Sequence, residues 1–244
     1  MKNQYVGDVC DFAKYGLLRW LSCSGPRFLR LGLLWYLTAD SPTTTNGSRI
    51  GYLKLPRPNA FSAADSALLD KLMNLVSQGR RHTEAVIAQG VLPPDTSTFD
   101  PVLTSSNRAQ WFDQALERVA GCDLVFLDPD NGLARSGNRK APPSHATLDE
   151  VHELCGRGHS VAVIQFPHRQ GTHNAQLQHW SDEIARILPA SSPRPSALRW
   201  RSHTSIGFIV VPSSEHLETL APAIRSLLDS EWGRFFTAVP PSPA

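Results

Sequence analysis

Leu124-Val125-Phe126-Leu127-Asp128-Pro129-Asp130-Asn131-Gly132 is an apolar run that ends in an acidic loop. Consecutive apolar residues predict a strand covered on both faces, as in the parallel sheet of an α/β protein. Two carboxylates and a carboxamide follow at once. Open α/β sheets bind their ligands at the carboxyl ends of the strands. The stretch therefore predicts both a fold class and the position of a functional site.

Further strands and helices alternate along the chain. Apolar runs at residues 29–37 and 160–166 predict two more buried strands, and residues 98–103 are a weaker candidate. Helical periodicity predicts helices over residues 9–23, 62–78, 107–120, 147–155, 174–187 and 215–228, with a short one near 81–88. Ser62 and Thr147 are the expected N-caps of two of them.

The alternation predicts a single-domain Rossmann-like α/β fold, with a mostly parallel sheet flanked by helices. Residues 198–202 and 206–211 predict a C-terminal antiparallel strand pair. We place the domain at residues 1–237, with the helix over residues 9–23 packing over the site. A loose Pro-rich tail is expected over residues 238–244.

The bulk composition limits the classes of partner. The chain has 244 residues and a formal net charge of +2, which argues against binding nucleic acid by bulk charge alone. A local basic face is still open, and the alternative is scattered solvated charge. Residues available for that face are Arg80, Arg81, Arg135, Arg139, Lys140, Arg199 and Arg201.

The cysteines and the N-terminal sequence suggest a compartment. The four cysteines have no CxxC spacing, so core thiols are the expected reading. The first residues lack the apolar core of a signal peptide, and no apolar run reaches about 18 residues. We expect a cytoplasmic protein with reduced thiols and no membrane partner.

The acidic loop is the strongest chemical feature. Asp128, Asp130 and Asn131 must face solvent or a ligand, because burying them unpaired is costly. Pro129 stiffens the turn, and Asn131 and Gly132 tolerate a left-handed backbone. Such a loop suits an amine or amide donor, a ribose, or a divalent metal. The alternative is a turn that only ends the strand.

Two more groups of polar residues belong to the predicted site. Asp11 and Lys14 are three residues apart and share a helix face, although a surface ion pair would explain them equally well. Asp8 lies just before that helix. Asp40, at the end of the first strand, suits ribose hydroxyls or an amine, and the alternative is a turn residue.

His168 and Arg169 follow the second buried strand. His168 suits phosphate binding or acid–base chemistry, and an ordinary loop histidine is the alternative. The other histidines share no ligand spacing, so no zinc site is expected. No GxGxxG follows a strand, and neither GxxxxGK[ST] nor GxSxG occurs, which disfavours dinucleotide-binding, P-loop and α/β-hydrolase enzymes.

Gly7-Asp8-Val9-Cys10-Asp11-Phe12-Ala13-Lys14-Tyr15 resembles the N-terminal G-N-x-x-D-x-x-K-H helix of the J-type ribosomal RNA adenine-N6 methyltransferases. The Asp128-Pro129-Asp130-Asn131 loop falls where that family has D-P-P-Y. The chain is also similar to a bacterial and phage family of unassigned function that shares Y-x-G-D-x-x-D-x-x-K-Y, W-Y-L-T and F-x-D-P-D-N-G.

The resemblance implies a class I methyltransferase-like fold, S-adenosylmethionine as cofactor and a nucleotide or nucleic acid as partner. It implies that Asp128 accepts from the target amine, with Lys14, Asp130 and Asn131 beside it in the catalytic group. The implied cofactor-binding residues are Tyr5, Asp8, Asp11, Trp35, Thr38 and Asp40.

The sequence departs from that pattern at two places. Asp130 and Asn131 replace the second proline and the stacking tyrosine, and residues 35–40 replace the glycine-rich cofactor loop. Three functions therefore stay open: a methyltransferase-like enzyme acting on a nucleobase or nucleic acid; a Mg²⁺-dependent nuclease or phosphohydrolase using Asp128 and Asp130; and a non-catalytic nucleotide- or partner-binding module.

Overall fold

The computed structural model describes residues 1–40, 47–134 and 141–241. The strands in those residues are β1 (Leu31–Trp35), β2 (Ser97–Phe99), β3 (Leu124–Asp128), β4 (Leu133–Ala134), β5 (Ala146–Thr147), β6 (Ser160–Gln165), β7 (Ser196–Ser202), β8 (Thr204–Val211) and β9 (Phe236–Val239). The α-helices are α1 (Val9–Cys23), α2 (Ala60–Ser77), α3 (Thr83–Ala88), α4 (Arg108–Val119), α5 (Leu148–Gly156), α6 (His173–Ile187) and α7 (Leu217–Asp229). Short 3-10 helices cover Asn3–Tyr5, Gly51–Lys54 and Glu231–Arg234. The predicted α/β class is confirmed.

Seven strands form one sheet in the order β2-β1-β3-β6-β8-β7-β9, and β4 and β5 form a small second sheet. β1 pairs in parallel with β2 on one side and with β3 on the other, and β6 extends the parallel part beside β3. The pairings of β8 with β6, of β7 with β8 and of β9 with β7 are antiparallel. Because the chain passes from β1 to β2 and then crosses to β3 on the other side of β1, the strand order reverses beside β1. The crevice at the carboxyl ends of β1 and β3 is thus the topological switch point, where open sheets bind ligands.

Alternate side chains of the central strands enter two separate cores. Leu33, Trp35 and Phe126 belong to the core that contains α1, α2 and α7. Leu34 and Leu127 belong to the core on the other face, with α4, α5 and α6. All five are fully buried, and burying one such side chain stabilises the fold by about 1.5–3 kcal/mol. A sheet covered on both faces explains the near-continuous apolar runs of the sequence.

The N-cap of α2 differs from the prediction. α2 begins after Asn59, whose side chain accepts from the Ser62 backbone N–H, while Ser62 Oγ accepts from the Asn59 backbone N–H. Ser62 is therefore the third-position partner of a capping box and not the cap. At α5, Thr147 is the cap and Glu150 its capping-box partner, so the predicted cap is confirmed.

The C-terminal prediction is wrong in part. β9 includes Ala238 and Val239, which were expected in a loose tail, because residues 236–239 pair with β7 and bury Phe236 and Val239. Residues 242–244 of that tail lie outside the described residues, as do Arg135, Arg139 and Lys140 of the considered basic face. Within residues 1–40, 47–134 and 141–241, no helix is long and apolar enough to cross a membrane.

Candidate functional site

A cavity of about 950 Å³ opens beside the carboxyl ends of β1 and β3, at the topological switch point. Eight of the predicted site residues line it: Tyr5, Asp8, Asp11, Lys14, Thr38, Asp128, Asp130 and Asn131. Loop residues contribute polar groups that sequence reasoning missed, namely Lys2, Arg49, Thr104, Ser105 and Ser144. The apolar part of the wall includes Leu103, Ile164 and Phe166. The cavity therefore has the mixed apolar and polar lining of a small-molecule site.

Lys14 of α1 connects the N-terminal helix with the acidic loop. Its Nζ lies 2.7 Å from Asp11 Oδ1 and 2.7 Å from Asp128 Oδ2. The side chains of all three are buried, so the predicted alternative of a surface ion pair between Asp11 and Lys14 is wrong. Burial alone would lower the pKa of Lys14, but the two carboxylates outweigh it and hold that pKa well above its usual value. Lys14 is therefore charged and fixes the position of Asp128.

The acidic loop is held rigidly on both sides. Asn131 donates its backbone N–H to Ser144 O (2.8 Å), and Leu133 donates its backbone N–H to Gln165 Oε1 (2.8 Å). Gly132 has a φ of +78°, and a β-carbon there would collide with the Gln165 side chain. Only glycine therefore fits this turn, and the turn sets the direction of Asp128 and Asp130.

An ammonium group is bound by the acidic loop. The α-amino group of Met1 lies 2.7 Å from Asp130 Oδ1 and donates to Tyr36 O (2.7 Å) and Asp128 O (3.4 Å). Thr38 Oγ1 donates to the other Asp130 oxygen (3.1 Å). Burial lowers the pKa of this amine, and the Asp130 charge opposes that shift. The loop thus combines a carboxylate with backbone carbonyls in a geometry that holds an amine.

Asp8 has a local structural role at the edge of the cavity. Its Oδ1 accepts from the Cys10 backbone N–H (3.1 Å), which caps α1. Its Oδ2 accepts from the Arg49 backbone N–H (2.9 Å). Asp8 therefore ties the start of α1 to the segment that carries Arg49 into the cavity wall.

Four predicted site residues lie outside the cavity wall. Trp35 has no exposed surface and packs in the core, so its assignment to the cofactor site is corrected: it alternates with Leu34 across a sheet covered on both faces. Asp40 is exposed and accepts from the Gln4 backbone N–H (3.3 Å). His168 and Arg169 are exposed on the loop after β6, at the same edge of the sheet.

The carboxylates of the acidic loop are the candidate ligands for a divalent metal ion. Among the described residues, no group of three or more histidines, cysteines or acids is placed to hold a metal ion. Asp128 already faces Lys14, and Asp130 already faces the Met1 amine, so a divalent cation would have to displace existing cations.

No protein-family model matches the chain, and no curated protein matches its sequence significantly.

Proposed function

We propose that the cavity is the active site of a methyltransferase-like enzyme that acts on an amine of a nucleobase, free or in a nucleic acid. The observation that carries the proposal is the amine-accepting loop at the switch point. There, the Asp130 carboxylate and the carbonyls of Asp128 and Tyr36 surround an ammonium group. The exocyclic amine of a base offers the same kind of donor.

Asp128 is the acceptor for the target amine in this proposal. Lys14 holds Oδ2 of Asp128, so Oδ1 and the backbone carbonyls beside it are the atoms that orient the amine. A fixed acceptor turns the nitrogen lone pair toward the reacting carbon, which is the positioning that an entropy-limited transfer needs. Lys14 and Asp11 act on the substrate through Asp128 and are positioning residues.

The residues present fit S-adenosylmethionine at one end. When bound, it supplies a methyl group on a sulfonium that passes to a nucleophilic nitrogen. Asp130, which accepts from Thr38 Oγ1, would hold its α-ammonium group in the place that the Met1 amine takes in this structure. The cavity, at about 950 Å³, has room for a nucleoside cofactor together with a base.

A second candidate is a non-catalytic module that binds a nucleoside. The Thr38 backbone N–H donates to Met1 O (2.9 Å), so the segment after β1 uses this donor within the chain. In a glycine-rich cofactor loop such donors face the ligand.

A Mg²⁺-dependent nuclease has less support, because Lys14 and the Met1 amine already neutralise its proposed carboxylate ligands.

Calorimetry and methyl transfer test the proposal together. We expect S-adenosylmethionine to bind with measurable heat, and labelled methyl groups to pass to RNA, single-stranded DNA or adenosine. Asp128→Asn should lower the transfer rate about 10-fold or more, the scale of a hydrogen bond to a charged group. Asp113→Asn, at an exposed acid of α4 outside the cavity wall, is the matched control and should leave the rate unchanged.

Two results would decide against methyl transfer. No heat with S-adenosylmethionine at high protein concentration would count against the cofactor. Binding of adenosine without transfer to any acceptor would favour the non-catalytic module instead.

A further inference from the structure

The loop after β6 forms a second polar feature beside the cavity. β6 ends at Gln165, and β7 places Arg199 at the same level of the sheet, because Gly207 of β8 pairs with both residues. Phe166, the next residue after β6, lines the cavity. Arg199 and the cavity therefore lie at one edge of the sheet, on either side of one loop.

Arg199 is positioned by neutral oxygens. Its Nε donates to Ser205 Oγ (3.3 Å), and its Nη1 donates to Asn174 Oδ1 (3.2 Å). Arg199 is only partly exposed, so these contacts restrict its rotamers without neutralising its charge. A guanidinium held in this way is ready to bind a carboxylate or a phosphate in a two-pronged geometry.

The loop beside Arg199 is built around the buried amide of Gln176. Gln176 Nε2 donates to His168 O (2.9 Å) and Gln170 O (2.7 Å), and Gln176 Oε1 accepts from the His168 backbone N–H (3.0 Å). His168 Nδ1 accepts from the Gln170 backbone N–H (3.3 Å). The neutral ring therefore carries its proton on Nε2, and the exposed His168 presents a donor to solvent.

His173, the first residue of α6, shares the Ser205 hydroxyl with Arg199. Its Nδ1 is 2.8 Å from Ser205 Oγ, and its Nε2 has no hydrogen-bond partner in the described part of the chain, although only 8% of the residue is exposed. Burial, then Arg199 and His168, lower the pKa of His173 to about 4. Because burial is the largest cause, His173 is a neutral, desolvated side chain near pH 7.

The N-terminus of α6 adds backbone donors to the same place. The helix has 15 residues, and the Thr172 side chain caps it by accepting from the Ala175 backbone N–H. The first N–H groups of a helix have no partner inside the helix and carry the positive end of its dipole. Arg199 contacts Asn174 and the His168 loop contacts Gln176, so both flank this end of α6.

We propose that the N-terminus of α6, Arg199 and His168 form a binding site for a phosphate group of the substrate nucleotide. The inference rests on the proposed function, because it assigns a phosphate to the nucleotide whose base enters the cavity. Phosphate is the anion that helix N-termini, arginine forks and histidine donors bind together. The phosphate comes either from a free nucleotide or from the backbone of a strand.

The site is tested by comparing how Arg199→Gln and the wild-type protein bind three probes. Adenosine, adenosine monophosphate and a short labelled single-stranded RNA differ in the phosphate groups that they offer. We expect the wild-type protein to bind the monophosphate more tightly than adenosine. Arg199→Gln should reduce that ratio of affinities about 10-fold. For the RNA, Arg199→Gln should weaken binding by a similar factor and lower the salt slope by about one. Arg225→Gln, at an exposed arginine of α7, is the charge-matched control and should behave as wild type.

The pattern of losses identifies the source of the phosphate. A loss for the monophosphate alone assigns the site to a free nucleotide, and a loss for the RNA as well assigns it to a strand. Equal binding of all probes by Arg199→Gln and wild type would overturn the inference. Adenosine and S-adenosylmethionine binding report separately on the proposed function, because neither probe carries a phosphate.

A second variant guards against misfolding. If Arg199→Gln melts far below the wild-type protein, His168→Ala provides the same comparison at an exposed side chain. We expect His168→Ala to lose about 3-fold in monophosphate binding, and unchanged binding would equally overturn the site.

Discussion

Replacing Lys14 with methionine removes the cation between two buried carboxylates and keeps the apolar stem of the side chain. Lys14 Nζ is 2.7 Å from Asp11 Oδ1 and from Asp128 Oδ2. Removing one partner of a buried ion pair costs about 3–5 kcal/mol, because the other charge is left unpaired. Since two carboxylates lose the same cation, we expect a loss of about 4–5 kcal/mol. That loss is a large part of the roughly 5–15 kcal/mol that stabilises a domain.

Urea denaturation followed by tryptophan fluorescence measures this loss. With a slope of about 3 kcal/mol per molar urea, the midpoint of Lys14→Met should fall by about 1.5 M at pH 7. The pH dependence separates charge from packing. The folded-state pKa of Asp11 is already raised by burial, and losing Lys14 raises it further. The folded variant therefore takes up protons before the unfolded chain does, and its deficit should shrink between pH 7 and pH 5.

The same change at an exposed lysine is the control. Lys54→Met should shift the midpoint by less than about 0.2 M, as expected for a surface substitution. A Lys14→Met midpoint within about 0.3 M of wild type would refute the reasoning, since the ion pairs would then contribute little. A deficit of equal size at pH 7 and pH 5 would assign the loss to packing and not to charge.

Three further predictions concern the scaffold of the two sites. Gly207→Ala places a β-carbon against Leu177 of α6 and should lower stability by about 2 kcal/mol, seen as a melting temperature about 4–8 °C lower. Gly132→Ala, at φ +78° against Gln165, should weaken ligand binding in the cavity in calorimetry, whereas Gly156→Ala, with open space around it, should not. The folded-state pKa of His173 is about 4, against an ordinary 6.5, so wild-type stability should fall as the pH drops from 6.5 toward 4. The expected loss is on the order of 1–2 kcal/mol after solvent screening. His173→Gln should abolish that part of the pH dependence of the urea midpoint.

Local patterns were enough to predict the elements that build the site. The predicted helix over residues 9–23 has the bounds of α1, because helical periodicity is a local signal. β3 and β6 were predicted from apolar runs, since strands buried on both faces leave an unmistakable composition. The carboxyl ends of such strands meet at one edge, and Asp128, which was expected at that edge, lines the cavity there.

Long-range contacts explain what the sequence did not reveal. The family resemblance placed Trp35 among the cofactor-binding residues, but the packing of α1 and α2 over that face buries it. Arg49 enters the cavity wall because its backbone bonds to Asp8, 41 positions earlier in the chain. β9 depends on pairing with β7, and a four-residue edge strand carries too little pattern to be recognised alone.

The charged residues of the cavity differ between its deep wall and its mouth. The deep wall carries the buried Asp11 and Asp128 together with Asp130, and the cations that face them are Lys14 and the Met1 amine. Three carboxyl groups thus face two amines, which favours a ligand end that is cationic or rich in hydrogen-bond donors. The basic residues of the outer wall are more exposed: Lys2 and Arg49 line the mouth, and Arg199 lies beyond it at the same sheet edge. A molecule with amine donors at one end and phosphate at the other satisfies both regions in a single orientation, base inward and phosphate outward.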